Sequence, residues 1–166
     1  MSINFEQAEI EVSHNKQEII DKLLQFVLTD TLLFWSHDSD LADNQEKIWL
    51  PIIIWARKIL KAEILTTTNL DVPLENHKVL SALRIFLEKL NNRQLTVLYL
   101  AALDMRSVIL AMAFVSGRIN AEKAFHAAFL EELWQSEKWG IDEEAEQRRQ
   151  DIKSNLIALE VFLNKD

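Results

Sequence analysis

Apolar positions recur three and four residues apart in six segments of this chain, which is the spacing of one face of an α-helix. The predicted helices cover residues 13–28, 41–60, 74–90, 93–116, 120–140 and 143–163. Residues 1–12 predict no regular element, and Ser13 is expected to cap the first helix. Gly and Pro number only two each, which argues against a β-sandwich, a barrel or a glycine-rich nucleotide loop. We therefore predict a mainly α fold, with a single helical domain over residues 1–166.

The segment over residues 93–116 is apolar on nearly every side. Its length matches a membrane span, but Asp104 and Arg106 lie in its middle, where each charge costs several kcal/mol in lipid. We therefore predict no membrane insertion. The expected fold is a compact domain of about six helices, in which this apolar helix is central and buried by the others.

Two segments between the helices carry a different pattern. Residues 29–35 are short, apolar and rich in β-forming side chains, and residues 62–73 are β-branched and then turn-like. We predict that these segments pair in a minor two-stranded, hairpin-like β patch. Pro51 lies inside the second helix, where it removes a hydrogen bond and predicts a kink or a restart.

The helix predicted over residues 120–140 has the most unusual surface. Gly117 is well placed to end the preceding helix in the left-handed conformation, and Gly140 ends this one. Glu132 falls near the middle of the apolar stripe of this helix, beside Gln135. The members of that stripe are Ala121, Phe125, Ala128 and Phe129.

Two interpretations of Glu132 are open at this point. Its carboxylate can be paired inside the fold with a basic residue such as Arg106 or Arg57, because structural ion pairs are common. Alternatively, the polar half of the helix forms a recognition surface for another molecule.

The charge and composition of the chain exclude several classes of function. The formal net charge is −8, and residues 120–166 hold 11 acidic against 6 basic side chains. Such a surface argues against binding to nucleic acid or to an anionic membrane. Cysteine is absent, so disulfides and thiol chemistry are excluded. The N-terminal sequence has neither a basic leader nor an apolar signal core, and we expect no export signal.

The sequence contains no recognisable catalytic or cofactor motif. Its four histidines lack metal-ligand spacing, and no nucleophile motif, phosphate loop or dinucleotide fingerprint occurs. His37, Asp38 and Asp40 could ligate a hard ion, but a capped turn is the expected structure there. We predict a chain without enzymatic activity, bound metal, cofactor or small-molecule substrate.

Several short stretches occur in the order and spacing of a known family. The most specific is LEELWQSEKWG at residues 130–140, followed by DEEAEQRR at residues 142–149. Others are WLPIIIWA at residues 49–56, TDT at residues 29–31 and the serine of the central apolar helix. Together they resemble the ATP synthase assembly chaperones that act on the α subunit of the catalytic head (the Atp-twelve family). The structural positions marked by the resemblance are Asp30, Trp49, Pro51, Trp55, Ser107, Gly117, Trp139 and Gly140.

The resemblance implies a non-catalytic assembly factor that binds a newly made α subunit and covers the surface destined for the β subunit. Trp134 is expected to act as an aromatic anchor, whereas Trp139 is expected to pack at the helix end. The residues expected to contact the partner are Glu131, Glu132, Trp134, Gln135 and Glu137. The alternative is a helical adaptor or regulatory domain with a different partner.

Two departures from the family pattern bear on these expectations. Leu50 stands where family members usually carry Asp. The family also has a β-rich domain ahead of the helical one, and we expect this chain to correspond to the C-terminal helical domain alone. The leaderless start fits a bacterial cytoplasm, and the alternative is the mitochondrial matrix, which would need a lost presequence.

Overall fold

A computed structural model describes residues 4–70 and 77–165, and the regular structure in this part of the chain is helical. Its α-helices are α1 (Phe5–His14), α2 (Lys16–Phe26), α3 (Ser39–Leu60), α4 (His77–Glu88), α5 (Asn92–Met105), α6 (Val108–Val115), α7 (Ala121–Ala128), α8 (Leu130–Trp139) and α9 (Glu143–Leu163). Two 3₁₀ turns, Val27–Thr29 and Thr31–Leu33, follow α2. The predicted mainly α class is confirmed, and the helices predicted over residues 93–116 and 120–140 are each divided into two.

Residues 5–14 form α1, so the prediction of an irregular stretch was wrong for residues 5–12, and residues 1–3 lie outside the described residues. The side chain of Asn4 caps α1 by accepting a hydrogen bond from the Gln7 backbone N–H at 3.0 Å, and Ser13 lies inside this helix. Phe5 packs against Phe162 near the C-terminus, with ring centroids 5.5 Å apart. This contact between the two ends of the chain stabilises a helix whose local periodicity is weak.

The central apolar segment is buried as predicted but consists of two helices. All eight residues of α6 are buried. Arg106 interrupts the segment in the left-handed conformation, at φ 55° and ψ 36°, and Ser107 then caps α6 by accepting from the Leu110 N–H at 3.0 Å. Across residues 4–70 and 77–165, no helix combines the length and apolarity that crossing a bilayer requires.

The predicted β patch is reduced to one parallel bridge between Phe34 and Thr67. The Trp35 N–H donates to the Thr67 carbonyl at 2.8 Å, and the Thr67 N–H donates to the Leu33 carbonyl at 2.8 Å. The hairpin-like pairing was wrong because Asp30 caps a 3₁₀ turn that bends the first segment. Residues 71–73 of the second segment, and residues 74–76 of the third predicted helix, lie outside the described residues.

Helix α3 continues through Pro51 without a restart. Asp38 caps it by accepting from the N–H groups of Asp40 and Leu41, which is the expected capped turn. Pro51 is exposed, so water can hydrogen-bond to the Lys47 carbonyl, which lacks its helical donor. The same helix buries Trp49, whose indole Nε1–H donates to the Ala127 carbonyl at 2.8 Å.

Lys61 ends α3 in the left-handed conformation, at φ 50° and ψ 44°. Lys61→Gly is expected to raise the free energy of unfolding by roughly 0.5 to 1 kcal/mol, because glycine has no Cβ to clash in this conformation. The measurement is urea unfolding of both proteins. Lys58→Gly, on an exposed position inside the helix, should instead lower it by about 1 kcal/mol. Destabilisation by both changes would contradict the argument.

The helix predicted over residues 120–140 is broken at Phe129, where φ is −106° and ψ is 19°. Asn120 caps α7 as expected, accepting from the Lys123 N–H at 2.9 Å. Gly117 has φ 75° and ends α6 in the predicted left-handed conformation. The break separates α7, which buries its Ala and Phe face in the core, from α8, which leaves the core.

Candidate functional site

Helix α8 is the most exposed helix of the C-terminal half. Within α8, which the structure describes in full, no residue is buried. Gly140 ends it at φ 97° and ψ 166°, a backbone conformation that residues other than glycine rarely adopt. Asp142 then caps α9 by accepting from the Glu144 N–H at 3.1 Å, so the turn brings α9 back beside α8.

Glu132 is paired with two arginines of α9. Its Oε1 accepts from Arg148 Nη2 at 2.8 Å and from Arg149 Nη1 at 3.3 Å. The Glu132 side chain is 36% exposed, and its Oε2 makes no hydrogen bond to any described residue. One oxygen of this carboxylate therefore ties α8 to α9 while the other is available.

The interpretation that Glu132 pairs with a basic residue of the fold is confirmed, but the suggested partners, Arg106 and Arg57, were wrong. Arg57 uses Nε and Nη2 to hold the Ile64 carbonyl, at 3.2 and 2.8 Å, and so fixes the loop after α3. Arg106 is exposed at the break between α5 and α6. The fold directs both arginines to positions near their own helix ends.

Arg149 is the centre of the network between the two helices. It is 2% exposed and donates to Glu132, to Ser136 Oγ at 3.3 Å and to Glu146 Oε2 at 2.9 Å. Hydrogen bonds from Gln150 and Arg149 lower the pKa of Glu146. A buried guanidinium with two carboxylate partners is neutralised, and this pairing fixes the position of α8.

Two tryptophans and an isoleucine form the apolar part of the exposed surface. Trp134 and Trp139 meet edge to face, with ring centroids 5.8 Å apart, and Lys138 Nζ lies 4.4 Å from the Trp134 centroid. Trp139 is 74% exposed and Ile141 is 68% exposed. Trp139 contacts the Trp134 ring at the helix end, but it remains exposed and does not enter the core.

Acidic and amide side chains surround these aromatic rings. Glu131, Gln135 and Glu137 are exposed, and among the described residues neither Glu131 nor Glu137 forms an ion pair. We name the whole feature the α8 surface. Its members are Glu131, Glu132, Trp134, Gln135, Glu137, Lys138, Trp139 and Ile141. The five residues predicted to contact a partner thus lie on one short helix, and their role in binding stays a prediction.

A second polar cluster joins Asp30 and Ser107, two of the structural positions marked by the resemblance. Asp30 is completely buried. Its Oδ1 accepts from Ser107 Oγ at 2.7 Å and from the Leu32 N–H at 3.0 Å, and its Oδ2 accepts from the Ile109 N–H at 2.9 Å. A carboxylate from the turn after α2 therefore caps the buried N-terminus of α6, where the helix dipole favours a negative charge. The periodicity of apolar residues gave no signal for this contact.

Burial raises the pKa of Asp30 from 3.8 to about 6, against the lowering effect of the hydrogen bonds from Ile109 and Ser107. The carboxyl group of Asp30 therefore binds its proton more tightly in the folded protein than in the unfolded chain. The contribution of this protonation to the free energy of unfolding is full below pH 3.8 and is lost as the pH rises through 6. The free energy of unfolding of the wild type, measured relative to that of the Asp30→Asn variant, should fall by up to about 3 kcal/mol between pH 4 and pH 7. Urea unfolding of both proteins across this range tests it. A difference that is flat or grows with pH would contradict the assignment.

No three His, Asp or Glu side chains converge on a metal-sized site within the described ranges. The exposed polar and aromatic groups of α8 suit a protein partner, because exposed Trp side chains supply large apolar contact areas and charges set specificity.

Comparison with known proteins relates this chain to one family. A family model described as ATP12 chaperone protein matches residues 1–57. The crystal structure of Atp12 from Paracoccus denitrificans superposes with a TM-score of 0.88 and 29% sequence identity, over 94% of this chain and 67% of that one. The chain is similar to the Atp12 chaperones in sequence and in fold. The resemblance noted from short motifs is therefore confirmed.

Two further relatives define how much of an Atp12 chaperone is represented. The mitochondrial protein atp12 of Schizosaccharomyces pombe is 26% identical over an alignment of 168 positions. The alignment covers 94% of this chain and 57% of the relative. The Atu1473 protein of Agrobacterium tumefaciens superposes with a TM-score of 0.82 and 26% identity, over 92% of this chain and 57% of that one. The chain thus spans between 57% and 67% of the length of these three proteins.

Proposed function

We propose that this chain is a non-catalytic assembly chaperone that binds the unassembled α subunit of ATP synthase and helps to form the catalytic head. The relationship to Atp12 chaperones across 94% of the chain supports the general role. The exposed α8 surface is the single observation that carries the proposed binding site. In this proposal the described helices act as the helical part of an Atp12 chaperone.

The physical basis of the proposal is the masking of an interface. A subunit that has not met its neighbour exposes apolar surface, which promotes aggregation. The exposed Trp139 and Ile141, with the half-buried Trp134 beside Trp139, offer apolar area that can cover such a surface. The acidic neighbours can pair with basic groups at the edge of the interface and so set its specificity.

The members of the α8 surface have different tasks in this proposal. Glu131, Gln135 and Glu137 are free to make polar contacts with the client. Glu132 both holds α8 against α9 through Arg148 and Arg149 and presents its second oxygen. For this reason substitution of Glu132 would change the position of α8 as well as any contact.

A double variant, Glu131→Lys with Glu137→Lys, tests the proposed surface without disturbing the ion network. We expect it to weaken α-subunit binding at least about tenfold, because two attractive charges become repulsive. Its free energy of unfolding should stay within about 0.5 kcal/mol of the wild type, since both side chains are exposed. Titration calorimetry with purified α subunit and urea unfolding supply the two measurements.

The matched control is Asp43→Lys with Glu46→Lys, which reverses two exposed charges on α3. It changes the net charge by the same amount and should leave α-subunit binding unchanged. Equal weakening by both double variants would mean that only the overall charge of the chain matters.

A helical adaptor with a different partner is the competing function. It is kept because the chain spans only 57% of the length of the mitochondrial relative, so a binding property of that whole protein need not reside in the described helices. Capture of a stoichiometric protein unrelated to ATP synthase, with no α subunit, would favour the adaptor. For the compartment we propose a bacterial cytoplasm, with the mitochondrial matrix as the alternative suggested by the mitochondrial relative.

A further inference from the structure

An open cavity of about 300 Å³ lies between α8 and the start of α9, and we call it the Trp139 notch. The lining residues used in the argument are Glu132, Gln135, Ser136, Trp139, Asp142 and Arg149. It combines the exposed indole of Trp139 with the carboxylates of Glu132 and Asp142.

The carboxylates of the notch have unused hydrogen-bonding capacity. Glu132 engages the arginines of α9 through Oε1, and Asp142 caps α9 through Oδ1. Neither Glu132 Oε2 nor Asp142 Oδ2 hydrogen-bonds to any described residue. Arg149 contributes a positive charge to the lining, but Glu132 and Glu146 neutralise it. With Arg148 included, three carboxylates (Glu132, Asp142 and Glu146) face two guanidinium groups, so the notch keeps one negative charge in excess and two carboxylate oxygens without a donor.

We propose that the Trp139 notch is a socket for one arginine side chain of the client protein. A guanidinium can stack on an indole and can donate two parallel hydrogen bonds to carboxylates. It therefore matches both the aromatic and the acidic side chains of the notch. An anionic side chain would meet two carboxylates, and an apolar one would cover free acceptors without supplying a donor. The α8 surface already holds one cation on an indole, because Lys138 lies over Trp134.

The inference rests on the proposed function for its client, but the socket is testable by itself. The probes are two synthetic peptides, acetyl-Ala-Leu-Arg-Leu-Ala-amide and the same peptide with citrulline, an uncharged residue of nearly the same shape, in place of arginine. Binding is followed by the NMR shift of the Trp139 indole N–H, which is assigned with Trp139→Phe. We expect the arginine peptide to bind about tenfold more tightly than the citrulline peptide.

Asp142→Asn removes one charge of the notch while asparagine keeps the capping oxygen. It should weaken the arginine peptide several-fold, and Glu143→Gln, on the neighbouring exposed residue, should not. Equal binding of both peptides, no shift at Trp139, or no effect of Asp142→Asn would each overturn the socket.

Binding of purified α subunit to the wild type and to Trp139→Ala separates this inference from the proposed function. Loss of α-subunit binding in Trp139→Ala supports both. Unchanged binding in this variant would overturn the socket and leave the proposed function standing. If the notch prefers the arginine peptide but the chain binds no α subunit, the client is a different protein.

Discussion

Replacing Asp30 by alanine is expected to lower the free energy of unfolding by about 3 to 5 kcal/mol. The substitution removes the acceptor for Ser107 Oγ and for the N–H groups of Leu32 and Ile109, all within the buried core. Water cannot reach these donors, so each loses a hydrogen bond without replacement. The N-terminus of α6 also loses its negative charge, although Ser107 still caps the Leu110 N–H.

Urea unfolding followed by circular dichroism measures this effect. Asp43→Ala is the matched control, because Asp43 is exposed and caps no helix. It should change the free energy of unfolding by no more than about 0.5 kcal/mol. A loss below about 1 kcal/mol in Asp30→Ala would mean that the carboxylate does not hold the two segments together.

Substitution by alanine should affect the free energy of unfolding very differently at two tryptophans. Trp49→Ala should lower the free energy of unfolding by about 3 to 5 kcal/mol, because it opens a large cavity in the core. Trp49 is 1% exposed, packs edge to face against Trp35 and donates to the Ala127 carbonyl. Trp139→Ala should stay within about 0.5 kcal/mol of the wild type, since Trp139 is 74% exposed.

Trp49→Phe separates the two contributions of the indole. It fills most of the volume but leaves the Ala127 carbonyl without its donor, so a loss of about 1 to 2 kcal/mol is expected. Thermal and urea unfolding of the three variants give the comparison. Similar losses in Trp49→Ala and Trp139→Ala would contradict the burial that distinguishes these residues.

Much of the helical structure could be predicted because its signals are local. Helix α9 has the bounds expected from its apolar seam, with Asp142 as its cap. Gly117 marked the end of α6, because glycine favours the left-handed backbone, and Asn120 marked the start of α7, because asparagine is a good N-terminal cap. The burial of the central segment followed from its uniform apolar character.

The helix breaks could not be predicted because their causes are distant in sequence. Neither Arg106 nor Phe129 is a glycine or a proline, so neither marks a break by itself. The start of α6 depends on the Asp30 carboxylate, which meets Ser107 across 77 positions of sequence. Helix α1 likewise depends on the packing of Phe5 against Phe162.

The candidate site shows the same division. The motif around residues 130–140 located the α8 surface, because a specific run of residues needs no three-dimensional information. The partners of Glu132 were missed because Arg148 and Arg149 lie 16 and 17 positions away and meet it only after the turn at Gly140. The exposure of Trp139 also required the structure, since a Trp at a helix end is usually expected to be buried.

The central claim is that the α8 surface binds the unassembled α subunit of ATP synthase. Titration calorimetry of the wild-type chain with purified α subunit from the same organism tests it most directly, beside the Glu131→Lys, Glu137→Lys variant. We predict a saturable one-to-one complex with the wild type and at least about tenfold weaker binding with the variant. No complex with the wild type, under conditions in which an Atp12 relative binds its own α subunit, would contradict the claim, and so would equal binding by the variant.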